Sequence, residues 1–124
     1  LRPRVVAAFK ACKARFKVGC ITNNAPTGKG AGMSSSPEKA QQIAEVFSLF
    51  DHVIESSKAG VRKPDPRIYL MMCEAIGVKP EACVYLDDLG INLKPARELG
   101  MTTIKVTSEQ QLLDDLSKAV GIAF

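Results

Sequence analysis

No run among the 124 residues is apolar over the ~18 to 20 positions that a bilayer-crossing helix needs, so a membrane span is excluded. Histidine occurs once, at His52, and the four cysteines (Cys12, Cys20, Cys73 and Cys83) form no C-x-x-C pair. Zinc ligation at the usual spacing is excluded with them. Scattered among apolar neighbours, these thiols read as small buried hydrophobes of a reducing compartment, and a cytoplasmic protein is the expectation. The glycine-rich string Gly28-Lys-Gly-Ala-Gly32 matches neither G-x-x-x-x-G-K-[ST] nor a G-x-G-x-x-G set between strand and helix. A flexible loop is expected there, not a nucleotide cradle. The chain opens on Leu1 instead of Met, and no charged leader with an apolar stretch and cleavage site precedes Val5, so an upstream segment is expected.

What is there suits one globular domain: 46% hydrophobic and 24% charged residues, in a length that buries about two-thirds of its unfolded surface. The formal charge of +4 is uneven. Arg2, Arg4, Lys10, Lys13, Arg15 and Lys17 stand in the first 17 residues without an acid, and the rest is slightly acidic. Val5, Phe9, Cys12 and Phe16 recur there at helical spacing, which turns one stripe inward and leaves the cations on a solvated face. Without an aromatic stacking platform interleaved with those cations, no nucleic-acid partner is expected.

Short apolar runs then alternate with helical patterns. Residues 18–22 read as a buried strand, followed by a polar, Gly/Ser-rich loop to Pro37 and a helix behind the cap Ser36, with Ile43, Val46, Phe47 and Phe50 on its apolar face. Residues 52–55 are a second strand, and 56–66 an irregular segment, because Pro64 and Pro66 hold the residues before them out of the α region. A helix runs from Pro66 through Ile68, Tyr69, Met72, Cys73 and Ile76 to a stop at Gly77. Residues 83–86 are a third strand, 92–99 a helix and 102–106 a fourth strand. Ser108 caps a last helix that carries Leu112, Leu113 and Leu116 on one face. This alternation defines an α/β fold with a parallel sheet and helices on both faces.

Ligands of such sheets collect outside the carboxyl ends of the strands, where Thr22-Asn23 and Asp87-Asp88 are found and where Lys63 can approach from its loop. Taken singly, each is ordinarily a cap or a solvated side chain. Together they make a chemical set. Paired acids offer hard oxygen ligands to Mg²⁺, which takes one or two carboxylates plus water and substrate phosphate. A Thr hydroxyl, an Asn amide and a main-chain N–H donate to phosphate oxygens, and a Lys ammonium neutralises charge on a nucleophile and a phosphoryl group together.

Three stretches in this order, the strand ending in Thr22-Asn23, then Lys63-Pro64-Asp65-Pro66-Arg67-Ile68-Tyr69, then residues 84–101, resemble motifs two, three and four of the haloacid dehalogenase superfamily. The long third stretch is similar to the phosphatase domains joined to soluble epoxide hydrolases and to acyl-CoA dehydrogenases. The resemblance implies a Rossmannoid three-layer α/β/α core and a Mg²⁺-dependent phosphomonoesterase working through an aspartyl-phosphate. It implies that Thr22 and Lys63 are catalytic and bind the phosphoryl group, with Asn23 as a substrate contact. Asp88 would bind Mg²⁺, Asp87 is the adjacent acid, and Asn92 is a ligand or supporting position where many relatives carry Asp. Receiver domains share Thr, Lys and paired acids, but there the acids come first; the paired acids also separate this chain from true dehalogenases, which lack them.

The superfamily's first motif, D-x-D-x-[TV], holds the nucleophile, and no D-x-D occurs in residues 1–124. Its strand normally lies at the centre of the sheet, and without it neighbouring strands keep unpaired inner edges. Residues 1–124 are therefore expected to be the carboxyl-terminal part of such a core domain, with the central strand and the cap upstream, and to be inactive by themselves. The expected partners are a phosphorylated small molecule, an upstream segment or fused domain, and a second copy in a homodimer. The alternative is a non-catalytic module of the same fold within a larger protein.

Overall fold

The computed structural model describes residues 2–23 and 44–124. Helix α1 (Pro3–Lys13) begins on a proline, whose missing N–H costs nothing in a first turn. Val5, Ala8 and Cys12 are buried along it, with Phe9 packed against the same cluster. The inward stripe stops there, and this corrects one expectation: the helix ends at Lys13, and Phe16 is 47% exposed. Its step of four from Cys12 aligns with the stripe only while helical geometry lasts. The basic face finds acids elsewhere in the chain: Arg2 pairs with Glu109 at 3.2 Å and Lys13 with Asp51 at 3.2 Å.

Strand β1 (Gly19–Thr22) pairs in parallel with β2 (His52–Glu55), Gly19 opposite His52 and Thr22 opposite Glu55. Strand β3 (Val84–Asp87) pairs in parallel with β4 (Thr102–Lys105), Val84 opposite Thr102 and Asp87 opposite Lys105. These are two separate ladders; among the described residues no strand joins β1 to β3. Helix α2 (Ser56–Ala59) occupies part of the stretch expected to be irregular, and Gly60, at φ 78°, ends it. It is a single turn of small and polar residues, too short to show a helical period.

Helix α3 (Pro66–Ile76) has the expected bounds. Asp65 caps it by accepting from the Arg67 N–H, and Gly77, at φ 71°, closes it in the left-handed region that a side chain disfavours. Helix α4 (Gly90–Glu98) starts two residues earlier than expected, and α5 (Glu109–Val120) opens with a capping box between Ser108 and Gln111. Residues 44–48 are helical, and the side chain buried beside them is Leu49. The rest of the helix expected behind Ser36 and Pro37, with Ile43, and the glycine-rich loop before it lie outside the described residues.

Alternation along β3 shows the layering. Val84 and Leu86 pack with α1 and α5 around Ile104, Leu112, Leu113 and Leu116, whereas Tyr85 packs with α3 and α4 around Ile68, Tyr69, Met72 and Ala96. A strand sends successive side chains to opposite faces, so helices cover both sides of the parallel strands in three α/β/α layers. Cys12 and Cys73 are buried, Cys20 and Cys83 half-buried, and all four are free thiols. No helix among the described residues is long and apolar enough to cross a membrane.

Candidate active site

Parallel strands leave their last residues at one rim, and the loops that follow β1, β2 and β3 meet there. Asn23 follows β1 directly. Its main-chain O accepts from the Ser56 hydroxyl at 3.0 Å, which ties it to the segment after β2. Its side chain grips Lys63: Oδ1 accepts from the Lys63 N–H at 3.0 Å and Nδ2 donates to the Lys63 O at 3.2 Å. The Lys63–Pro64 peptide bond is cis. From this anchored main chain the Lys63 ammonium reaches Asp87, at the end of β3, with Nζ 3.0 Å from Oδ2. One cation thus bridges the tips of the two separate ladders.

Asp87 is held on every side. Its Oδ2 also accepts from the Tyr85 hydroxyl at 2.6 Å and from Asn92 Nδ2 at 3.3 Å, and its Oδ1 accepts from the Leu89 N–H at 3.0 Å. The side chains of Lys63 and Asp87 are only 13% and 6% exposed, so little water screens the pair. Burial pushes the Asp87 carboxyl up, but the Tyr85 hydroxyl, the Leu89 N–H and Lys63 outweigh it and hold the group at about 2. The acid is ionised at neutral pH. Burial, aided by the same charge, drives Tyr85 well above the usual phenol range and Tyr69 up to about 12, so both remain neutral donors. The Tyr69 hydroxyl donates to the Asn92 main-chain O at 2.6 Å, and the two tyrosine rings meet edge to face with centroids 5.2 Å apart.

Asp88 differs from its neighbour. It is exposed, and among the described residues its carboxylate makes no hydrogen bond or ion pair. For Mg²⁺, the open oxygens of Asp88 fit a ligand set completed by water and phosphate. Asp87 is already filled by four donors, and Asn92, buried within α4, turns its amide onto Asp87. Among the described residues no cluster of three or more His, Cys, Asp or Glu side chains forms a metal site on its own.

Of the residues singled out in the sequence, Asn23, Lys63, Asp87 and Asn92 are joined by one chain of hydrogen bonds. Thr22 closes β1 beside them and is half-buried. Asp88 stands next to them in the chain, outside the hydrogen-bonded set. Tyr85, Ser56 and Tyr69 were not anticipated. Tyr85 had a signal: two residues apart on a strand, Tyr85 and Asp87 share a face.

A three-layer parallel α/β core with a buried Lys–carboxylate pair and an open carboxylate at its strand tips is the framework of a Rossmannoid fold, whose ligands gather at the carboxyl ends of the strands. The chain belongs to the haloacid dehalogenase-like hydrolase family, whose model matches residues 1–100. It is 37% identical over 126 residues to the bifunctional epoxide hydrolase 2 of Rattus norvegicus, covering 99% of this chain and 22% of that protein. It is 34% identical over 99 residues to Phosphatase MT3486 of Mycobacterium tuberculosis, covering 80% of this chain and 42% of the relative. The chain thus spans less than half the length of either relative. A haloacid dehalogenase family enzyme of Bacteroides thetaiotaomicron, solved as a magnesium complex, superposes with a TM-score of 0.69 over 88% of this chain and 54% of that one, at 23% identity.

Proposed function

We propose that this chain is part of a Mg²⁺-dependent phosphomonoesterase that acts on a phosphorylated small molecule in the cytoplasm. The observation that carries this reading is the buried Lys63–Asp87 pair standing beside the unengaged carboxylate of Asp88. In it, the phosphoryl group is bound by the Thr22 hydroxyl and the main chain at Asn23, and the Lys63 ammonium neutralises charge shared between that group and an attacking aspartate. The aspartate comes from outside these 124 residues, which contain no D-x-D. Its carboxylate takes the phosphoryl group as the P–O bond to the substrate breaks and the alcohol leaves with a proton, and water then hydrolyses the aspartyl-phosphate to inorganic phosphate and the free carboxylate. On this reading residues 1–124 release no phosphate by themselves. Asp88 would hold the Mg²⁺, with Asp87 and Asn92 orienting the rim behind it; the ion supplies positive charge to the phosphate oxygens.

Support comes from family membership, from the relative named a phosphatase, and from the neighbour solved with magnesium. The test is release of phosphate from p-nitrophenyl phosphate by the full-length expressed protein, with and without Mg²⁺. Mg²⁺-dependent release that Lys63→Ala abolishes is expected; no release from the intact protein would overturn the reading.

The missing D-x-D favours one second reading, a non-catalytic module of the same fold. Calorimetric titration with Mg²⁺ and a phosphate analogue separates the two: joint tight binding argues for the enzyme, and binding of neither argues for the module.

A further inference from the structure

We propose that Tyr85 is a positioning residue for Lys63: its hydroxyl fixes the Asp87 carboxylate, and that carboxylate fixes the ammonium. The geometry runs outward from the strand. Tyr85 and Asp87 lie on the same face of β3, and their 2.6 Å contact has the length of a charge-assisted O–H···O⁻ bond. With the Leu89 N–H on the other oxygen, Tyr85 defines the plane of the carboxylate from β3 and the turn just after it. Lys63 reaches Oδ2 from a loop 24 residues away in sequence, on the other ladder. Its direction is therefore set by an acceptor that Tyr85 has already oriented.

Tyr85 is itself held against rotation. Its ring stands at 90° to that of Tyr69, which is 0% exposed and whose hydroxyl binds the Asn92 main chain. The Asn92 amide then returns to the same Asp87 oxygen. Removing only the Tyr85 hydroxyl keeps the ring contact but takes away the shortest of the bonds that orient Asp87. The ammonium keeps its ion pair and loses its fixed direction.

The test reads Lys63 directly. In ¹⁵N-labelled full-length protein, the Lys63 ammonium resonance, assigned by its loss in Lys63→Arg, is compared between wild type and Tyr85→Phe. A resolved, slowly exchanging ammonium is expected in the wild type, with measurably faster solvent exchange in the variant. Unchanged exchange in a folded Tyr85→Phe overturns the proposal. A second measurement needs no variant: the Tyr85 hydroxyl proton gives an exchange-protected signal in the wild type, and its absence overturns the proposal as well. The kinetic arm alone rests on the phosphatase reading. There Tyr85→Phe lowers kcat by about 10-fold and moves KM by less than about twofold, the pattern of an interaction felt in the transition state. Faster ammonium exchange in the variant, with no phosphatase activity in the wild type, upholds the positioning role and overturns the phosphatase reading instead.

Discussion

Asn23 holds Lys63 by both ends of one residue, accepting from its N–H at 3.0 Å and donating to its C=O at 3.2 Å across 40 positions of sequence. The side-chain amide thereby does for the Lys63 main chain what a neighbouring strand would do. A net contribution of about 1 kcal/mol per bond is ordinary for such contacts. Asn23→Ala is expected to destabilise the chain by about 1–2 kcal/mol in urea titrations. It should lower phosphate release per folded molecule as well. Asn23→Asp keeps the acceptor and loses the donor, and falls between the two.

Asp88 carries its side chain in solvent without a partner among the described residues, so neutralising it disturbs little of the fold. Asp88→Asn is expected to abolish Mg²⁺ stimulation of phosphate release and the heat of Mg²⁺ binding. Metal-free stability should stay within about 0.5 kcal/mol of wild type, as for surface substitutions generally. Undiminished Mg²⁺ stimulation in the variant removes Asp88 from the metal site.

Asp87, held at about 2, lies below the usual carboxylate value of about 3.9 in the unfolded chain. A depressed value in the folded state means that ionisation favours folding. That contribution is complete above about pH 4 and is lost as pH falls through about 2. Two units of separation correspond to roughly 2–3 kcal/mol. The stability difference between wild type and Asp87→Asn, from denaturant titrations at pH 5, 3 and 2, is expected to shift against the wild type by about 2 kcal/mol across that range. A constant difference would show that Asp87 does not titrate there.

Gly19 begins β1 where a Cβ would stand 2.6 Å from Met72 Sδ and 2.9 Å from its Cε. Those atoms end a flexible side chain, which can give way at moderate cost. Gly19→Ala is expected to lower stability by about 1 kcal/mol, the mild end of overpacking, with activity per folded molecule unchanged. Combined with Met72→Ala, the two effects should add to less than their sum, because the truncated side chain vacates the contested space.

Much of this protein was legible from local spacing. The bounds of α3 follow from Pro66 and Gly77, the cap of α5 from Ser108, and the strand ends from apolar runs that stop at Thr22 and Asp87. Each depends on residues a few positions apart, where dihedral preference and periodicity act. Phe16 and α2 departed from expectation because a period shows neither where a helix will stop nor a single turn of polar residues.

By itself the sequence determined the α/β class, the strand tips that carry polar residues and the residue types available for phosphate chemistry. Only the tertiary structure decided how those residues divide the work. It turned Asp87 inward onto Lys63, left Asp88 open, and engaged Asn23 and Asn92 with protein partners. The physical reason is that adjacent acids at a strand end point to different sides, and which side holds a cation depends on a loop brought in from the other ladder. Local pattern carries no record of that approach; the Asn23 side chain, 40 positions away in sequence, fixes the Lys63 main chain there.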